Sequence, residues 1–210
     1  MRRHPSRTVL ALAALRPGFA VPFLYYGIQA AAAPSFPDFS LVGTTASELG
    51  SDRSERPAVF NAGIIVLGAV TLVAAVGFLL ALRRLGAHPL LAWATGVAVA
   101  LNGLQTLWAG IFPLPDPRHG GHPAFVVGML LLPALLAVAT WRRTRSRVVR
   151  AYFAATLVLL AVMVPVMSGV SGLDMHAYRG LVQRVFTLAV FPPVGVAACV
   201  LARRVGESLG

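Results

Sequence analysis

The chain has 210 residues, of which 57% are hydrophobic and 12% are charged. A typical soluble domain carries about 25% charged residues, so this composition excludes an ordinary water-soluble protein. The net charge of +11 comes from eighteen arginines, without any lysine, against seven acids. A basic chain often binds nucleic acid, but these arginines lie in short connecting segments and no polar domain remains to form a groove. We therefore expect no nucleic-acid partner, and the single Cys199 excludes an intramolecular disulfide.

Six apolar stretches are each long enough to cross a bilayer, which takes about 20 helical residues. The predicted helices cover approximately residues 8–33, 58–82, 88–112, 122–141, 148–167 and 181–201. Little chain remains outside them, so residues 1–210 are predicted to form a single transmembrane domain. Lipid cannot satisfy irregular backbone, and these stretches are too long for barrel strands. The predicted fold class is therefore all-α, an integral membrane bundle of six helices.

The start of the first helix is open between Thr8 and Pro17, because residues 16–18 (Arg-Pro-Gly) interrupt the apolar run. A signal peptide, with Arg2 and Arg3 as its basic region, is the alternative interpretation of this segment. The run after Arg16 is itself long enough to span a membrane, and five more spans follow. This favours a retained helix.

The charges alternate between the two ends of the predicted helices. The N-terminus, the 83–87 turn, the 141–150 loop and the C-terminus together carry twelve arginines and one glutamate. The 34–57, 113–121 and 168–180 loops carry four arginines and six acids, a net charge of −2. Because arginine-rich connections stay on the cytoplasmic side, both termini are predicted to be cytoplasmic.

Prolines interrupt four of the predicted helices, where they are expected to produce kinks. They are Pro22, Pro133, Pro165 and the pair Pro192 and Pro193. No acid lies in the middle of a predicted helix, which argues against a proton-coupled transporter because such proteins usually need one. A transporter or channel subunit stays as an alternative.

Polar residues concentrate at the predicted outer ends of the helices and in the outer loops. The candidate outer-face cluster is Glu48, Asn61, Asp116, His122, Asp174 and Arg184. Arg184 is notable because it lies about one turn inside the sixth helix, where an ionisable side chain indicates a functional site. Its partner would be Asp174, Glu48 or Asp116; alternatively, it extends to the outer headgroups or joins two helices.

A metal site is a second hypothesis for the outer face. His119, His122 and His176 could provide three protein ligands and leave one position open, as in catalytic zinc sites. Such a site could activate water against an ester or amide in a lipid headgroup. The chain has no HExxH or CxxC pattern, so a solvated, hydrogen-bonded surface is favoured, with no cofactor.

Short motifs along the chain resemble a known family. They are residues 37–40 (PDFS), 46–52 (ASELGSD), 59–63 (VFNAG), 110–113 (GIFP) and 180–184 (GLVQR), together with His119 and His122. These motifs resemble the family of prokaryotic multi-span membrane proteins catalogued as domain of unknown function 998. That family is distantly similar to the DRAM and Sfk-type six-span families, some of which are implicated in membrane-lipid handling.

The resemblance implies the architecture and a set of polar positions, namely Glu48, Asn61, His122 and Arg184, but no reaction. The chain departs from the family pattern at residues 191–193 (Phe-Pro-Pro), where an aromatic residue such as tryptophan is expected. We predict a multi-pass protein of a prokaryotic cytoplasmic membrane whose partners are membrane lipids. A non-enzymatic role is favoured, in which the protein binds or organises lipid or another amphiphile at the outer leaflet; the alternative is a metal-dependent membrane hydrolase.

Overall fold

The computed structural model describes residues 5–172 and 174–207, which form eight α-helices and no strand. Arg2 and Arg3, the basic region of the signal-peptide alternative, lie outside the described residues. The helices are α1 Pro5–Leu15, α2 Val21–Ala32, α3 Pro57–Arg84, α4 Pro89–Ile111, α5 Pro123–Trp141, α6 Arg147–Met167, α7 Met175–Leu188 and α8 Phe191–Glu207.

These helices form six segments that are long and apolar enough to cross a membrane, which confirms the predicted number of spans. The spans are Thr8–Ser35, Pro57–Arg84, Pro89–Ile111, Pro123–Trp141, Arg147–Met167 and His176–Glu207. Large apolar side chains such as Phe23, Val148 and Val158 point away from the bundle, as lipid contact requires. The outward apolar surface and the spans agree with a multi-pass bundle.

The first span contains a break. A 3-10 turn, Arg16–Phe19, joins α1 to α2. Pro17 and Pro22 lie at the first positions of the turn and of α2, where the missing proline N–H costs no helical hydrogen bond. The interruption expected from residues 16–18 is therefore a tightened turn inside a continuous crossing.

The last span is longer and more divided than the helix predicted over residues 181–201. It covers His176–Glu207 and separates into α7 and α8 at Ala189 and Val190. Pro192 and Pro193 have no N–H to donate, so the carbonyls one turn earlier cannot continue the helical pattern. By contrast, α5 and α6 continue through Pro133 and Pro165.

The core is organised around α3, which contacts α1, α2, α4 and α8. Glycines allow its backbone to approach its neighbours closely. A Cβ atom at Gly68 would lie 2.6 Å from the backbone nitrogen of Leu107 on α4, and one at Gly77 would lie 2.5 Å from the carbonyl carbon of Ala14 on α1. Small residues at these crossings let the helix backbones pack closely, without the need for hydrogen bonds between polar side chains.

Candidate functional site

The loop between the first span and α3 has a defined fold, and we call residues 36–56 the cap. Its first half is a turn in which Thr44 N donates to Ser40 O at 2.8 Å and Gly43 N donates to Ser40 Oγ at 3.1 Å. A 3-10 turn, Ser47–Gly50, follows. It is preceded by a reciprocal pair: Thr45 N donates to Glu48 Oε2 at 2.7 Å, and Glu48 N donates to Thr45 Oγ1 at 3.3 Å. This is the capping-box arrangement of Thr-x-x-Glu.

Glu48 is the charged centre of the cap and is only 7% exposed. Its Oε1 accepts from Arg53 Nη1 at 3.0 Å and from Arg179 Nη2 at 2.9 Å. Its Oε2 accepts from the backbone N and the hydroxyl of Thr45, at 2.7 and 2.9 Å. A buried carboxylate is tolerated when both oxygens are paired in this way. Glu48 therefore connects the cap internally and also to α7.

One face of α7 holds the cap through charge-assisted hydrogen bonds. Arg179 Nε donates to Gly43 O at 2.9 Å, and Arg184 Nη1 donates to Leu41 O at 2.9 Å and to Thr44 O at 2.6 Å. Gln183 Oε1 accepts from the backbone of Ala46 at 2.6 Å. Arg179 and Gln183 are four residues apart, so a helix brings both side chains to one face.

Asn61 attaches the other end of the cap to α3. Its Nδ2 donates to Gly50 O at 2.8 Å. Two further hydrogen bonds join Glu55 N and Ser54 Oγ to Ser35 O, at 2.8 and 3.3 Å, so that the cap closes on the end of the first span. The cap is thus fixed by the two spans that flank it in sequence and by the distant helix α7.

The structure brings Glu48, Asn61 and Arg184 of the predicted cluster together at the cap. Arg184 does not take the acidic partner expected for it, since it donates to backbone carbonyls while Arg179 contacts Glu48. Sequence reasoning missed three participants: Arg53, Arg179 and Gln183. The sequence does contain two relevant patterns. The four-residue spacing of Arg179 and Gln183 puts both side chains on one face of a helix, and Thr-x-x-Glu in the cap indicates a capping box.

The other three members of the predicted cluster form hydrogen bonds within their own segments. Asp116 pairs with Arg118 at 2.7 Å in the loop between α4 and α5. His122 Nδ1 accepts from Ala124 N at 3.2 Å and caps the start of α5. Asp174 likewise caps α7 by accepting from the backbone of His176 at 2.9 Å. These residues have local structural roles.

The three histidines of the metal hypothesis have separate environments. His119 Nδ1 lies 2.8 Å from the Phe112 carbonyl, so that nitrogen carries the proton. His122 is the helix cap described above, and His176 is exposed in the first turn of α7. Across residues 5–172 and 174–207, no three His, Cys, Asp or Glu side chains are grouped to hold a metal ion.

The Asp116–Arg118 pair has a measurable consequence for titration. The hydrogen bonds from Arg118 lower the pKa of Asp116 from 3.8 to about 2. The folded pKa is depressed, so the pair supports the loop conformation above pH 3.8 and loses that contribution as the pH falls through about 2. We expect Arg118→Gln to raise the Asp116 pKa towards 3.8, measured by carboxyl ¹³C NMR.

Arg56→Gln is the matched control for this titration, because it removes an exposed arginine from a different loop. It should leave the Asp116 resonance unchanged. An Asp116 titration that is the same with and without Arg118 would contradict the assignment of the pKa shift to this pair.

A cavity of about 130 Å³ lies beneath the cap, and we call it the cap cavity. It is lined by residues of the cap and five helices, namely Tyr25, Ala46, Ser47, Phe60, Ile64, Gln105, Thr106, Ala109, Gln183 and Phe191. Tyr25 stacks on Phe191 at one wall, with 3.9 Å between ring centroids. Gln105 Oε1 is buried and, within the described part of the chain, accepts no hydrogen bond.

An unpaired buried amide oxygen is costly unless a ligand or water completes it, and Gln105 is the lining side chain that has such an oxygen. The lining combines apolar rings and methyl groups with hydroxyls and amides, and none of its side chains is ionised at neutral pH. The cavity can therefore accept a small polar group by hydrogen bonding.

The family model described as "Protein of unknown function (DUF998)" matches residues 19–200. This range contains the cap, all residues of the cap cavity and most of the bundle. No curated protein and no solved structure matched the chain. The match covers well over half of the sequence and confirms the resemblance seen in its motifs: the chain belongs to the DUF998 family and is a multi-pass helical membrane protein.

Proposed function

We propose that this protein binds an amphiphile whose uncharged polar head occupies the cap cavity. The observation that carries this proposal is the unpaired, buried amide oxygen of Gln105, a side chain that lines a cavity of about 130 Å³ together with neutral polar and apolar groups. A water molecule takes about 30 Å³ of liquid volume, so the space suits a head of a few non-hydrogen atoms. A hydroxyl or amide N–H of the ligand would donate to Gln105.

The charges around the cavity favour an uncharged head. Glu48 is satisfied by Arg53 and Arg179. Arg184 is not among the lining residues; its Nη1 donates to two cap carbonyls, while its Nη2 is buried and has no hydrogen-bond partner in the described part of the chain. No ionised side chain is among the lining residues, so a charged head would lose its hydration without gaining a counter-charge. Phe60, Ile64 and Phe191 in the lining suit the first carbons of an alkyl chain.

We also infer that the cap faces the extracytoplasmic side of a prokaryotic membrane. The arginine-rich connections are at the other ends of the spans, where the positive-inside rule puts the cytoplasm. In a Cys199→Ser background, a membrane-impermeant thiol reagent should label Asp52→Cys in intact cells and leave Arg145→Cys unlabelled. The opposite labelling pattern would invert the topology.

The other functions have less support in the geometry. A metal-dependent hydrolase would need grouped ligands, whereas His119 and His122 each use a ring nitrogen in a local hydrogen bond. A transporter or channel subunit is not favoured, because no acid lies in the middle of a predicted helix. Binding without chemistry is the function that the cap cavity supports best.

Binding is tested with 1-oleoylglycerol, which has an uncharged dihydroxyl head, added to the purified chain in nonionic detergent. We expect saturable binding by native mass spectrometry, and we expect Gln105→Met to weaken it roughly tenfold, the equivalent of one lost hydrogen bond. The variant removes an unpaired buried oxygen, so its thermal stability should be unchanged or higher.

Gln29→Met is the matched control, since Gln29 is a buried span amide outside the cavity lining and donates to Tyr25 O in its own helix at 3.2 Å. It should bind 1-oleoylglycerol as the unmodified chain does. Failure of the unmodified chain to bind, or equal weakening by both substitutions, would reject the cap cavity as the site.

A further inference from the structure

The end of the bundle farthest from the cap contains a cavity of about 460 Å³, which we call the arginine cavity. It lies where the ends of α3, α5 and α8 meet the start of α6. Its charged lining is Arg142, Arg143, Arg145, Arg150, Arg204 and Glu207. The proposed function makes no use of this cavity.

The positive charge in the arginine cavity is largely uncompensated. Glu207 pairs with Arg204 at 2.7 Å, and no other ion pair involves these arginines within residues 5–172 and 174–207. Five arginines and one glutamate thus line the cavity. Placing cations close together in a partly dehydrated cavity is unfavourable unless an anion joins them.

Two of these arginines are also incompletely hydrogen-bonded. Arg143 Nη1 donates to Ala139 O at 2.8 Å and Arg150 Nη2 donates to Thr144 O at 2.9 Å. The Nε atom of each is buried and has no hydrogen-bond partner in the described part of the chain. Burial lowers the pKa of Arg143, as expected for a desolvated cation without a counter-ion. An anion with several oxygens would complete these donors.

An apolar groove continues from the arginine cavity. It has a volume of about 780 Å³ and shares Leu85, Arg142 and Arg143 with that cavity. The rest of its lining is mainly apolar and includes Leu91, Ala137, Val138, Trp141 and Leu157. Trp141 is 45% exposed at the end of α5, a position typical of the membrane–water interface. The arginine cavity and the apolar groove therefore meet at the depth where lipid headgroups join their acyl chains.

We propose that the arginine cavity and this groove together bind one anionic phospholipid, with the phosphate among the arginines and an acyl chain along the groove. Basic pockets between transmembrane helices recognise anionic headgroups in this way. Guanidinium groups suit the phosphate because their planar donors match two oxygens at once. The groove explains why the ligand would be a lipid rather than a soluble anion.

The headgroup site is tested with dioleoylphosphatidylglycerol bound to the full chain in nonionic detergent, followed by native mass spectrometry. The double variant Arg142→Gln/Arg145→Gln removes two exposed arginines that line the cavity, so the bundle should still fold. We expect its affinity to fall roughly 30-fold, from the usual contribution of two basic residues to an anionic lipid. Dioleoylphosphatidylcholine, which has no net charge, should bind at least tenfold more weakly to the unmodified chain.

The matched control is Arg147→Gln/Arg203→Gln, which removes the same charge from exposed positions at the same end but outside the cavity lining. It should change the affinity by less than about threefold, because general surface attraction is weak and screened. Equal losses in the two double variants, or no loss in either, would overturn the site.

The acyl chain is tested separately. Val138→Trp obstructs the groove, whereas Val162→Trp puts the same residue at a similarly exposed position on α6 outside the groove lining. Only Val138→Trp should weaken phosphatidylglycerol binding. Inorganic phosphate and glycerol 3-phosphate should compete poorly with phosphatidylglycerol. If either displaced the lipid at a concentration similar to that of the lipid, the ligand would be a soluble phosphate and the lipid assignment would be overturned. Gln105→Met should leave this binding unchanged, so the two proposals fail or succeed independently.

Discussion

Replacing Glu48 with alanine is expected to accelerate hydrogen exchange of the cap amides by about 100-fold, while exchange in α4 stays unchanged. The substitution removes the carboxylate that accepts from Arg53, Arg179 and the backbone of Thr45. Breaking a buried ion pair from one side costs about 3–5 kcal/mol. The arginines are 62% and 39% exposed and can be rehydrated, so we expect the lower end, about 3 kcal/mol.

Two further variants make the Glu48 prediction specific. Glu48→Gln keeps the shape but places an amide N–H₂ where an acceptor is needed, so its effect should lie between those of alanine and the control. Asp52→Asn is that control, because Asp52 is an exposed acid of the same cap. Its exchange should match that of the unmodified chain, and equal rates for Glu48→Ala and Asp52→Asn would refute the central role of Glu48.

Gly180→Ala is expected to detach the first half of the cap from α7. A Cβ atom at this position would meet the Thr44 carbonyl group, with its carbon only 2.8 Å away. The same carbonyl oxygen accepts from Arg184 at 2.6 Å, and Leu181 N donates to Val42 O at 3.0 Å beside it. The clash is with backbone rather than a flexible side chain, so a cost of about 2–3 kcal/mol follows.

The readout for Gly180→Ala is the exchange of peptides from residues 40–46, which should increase by roughly 30-fold or more. Gly27→Ala is the matched control, since a Cβ at that helical position meets nothing within 4 Å. It should be neutral or stabilise the protein by up to about 1 kcal/mol through helix propensity. A cap that is as well protected in Gly180→Ala as in Gly27→Ala would show that the close contact is not needed.

The two substitutions test separately the ionic contacts and the backbone contacts that attach the cap to α7. Glu48→Ala removes the ionic link while leaving the backbone contact of Thr44 with α7 free of steric conflict. Gly180→Ala disturbs that contact but leaves the pair between Glu48 and Arg53 within the cap. If 1-oleoylglycerol binding depends on a closed cap, both variants should weaken it, whereas Gln105→Met weakens it without increasing exchange.

The sequence was sufficient to identify some residues of the candidate site but not the partners that they contact. Arg184 is identifiable because an ionisable group inside a membrane span is unusual wherever its partner lies. Glu48 is identifiable as an acid of the 34–57 loop and from the family resemblance. The partner itself could not be identified, since Glu48 and Arg179 are separated by 131 positions along the chain. Asp116 and Asp174 were grouped with them by loop membership, although short-range hydrogen bonds satisfy both.

The sequence by itself determined the class of protein, the number of spans and the family, because hydropathy over about 20 residues and short motifs are properties of contiguous chain. It also indicated that Pro192 and Pro193 disturb the last span, since a proline lacks its N–H in any environment. Only the tertiary structure decided which arginines meet Glu48, that a cap closes over a cavity lined by Gln105, and that the ends of α3, α5 and α8 and the start of α6 form an arginine cavity. Those features depend on how α3, α7 and their neighbours pack. A shift of one residue along a helix turns a side chain towards a different neighbour, so the partner cannot be read from the sequence alone.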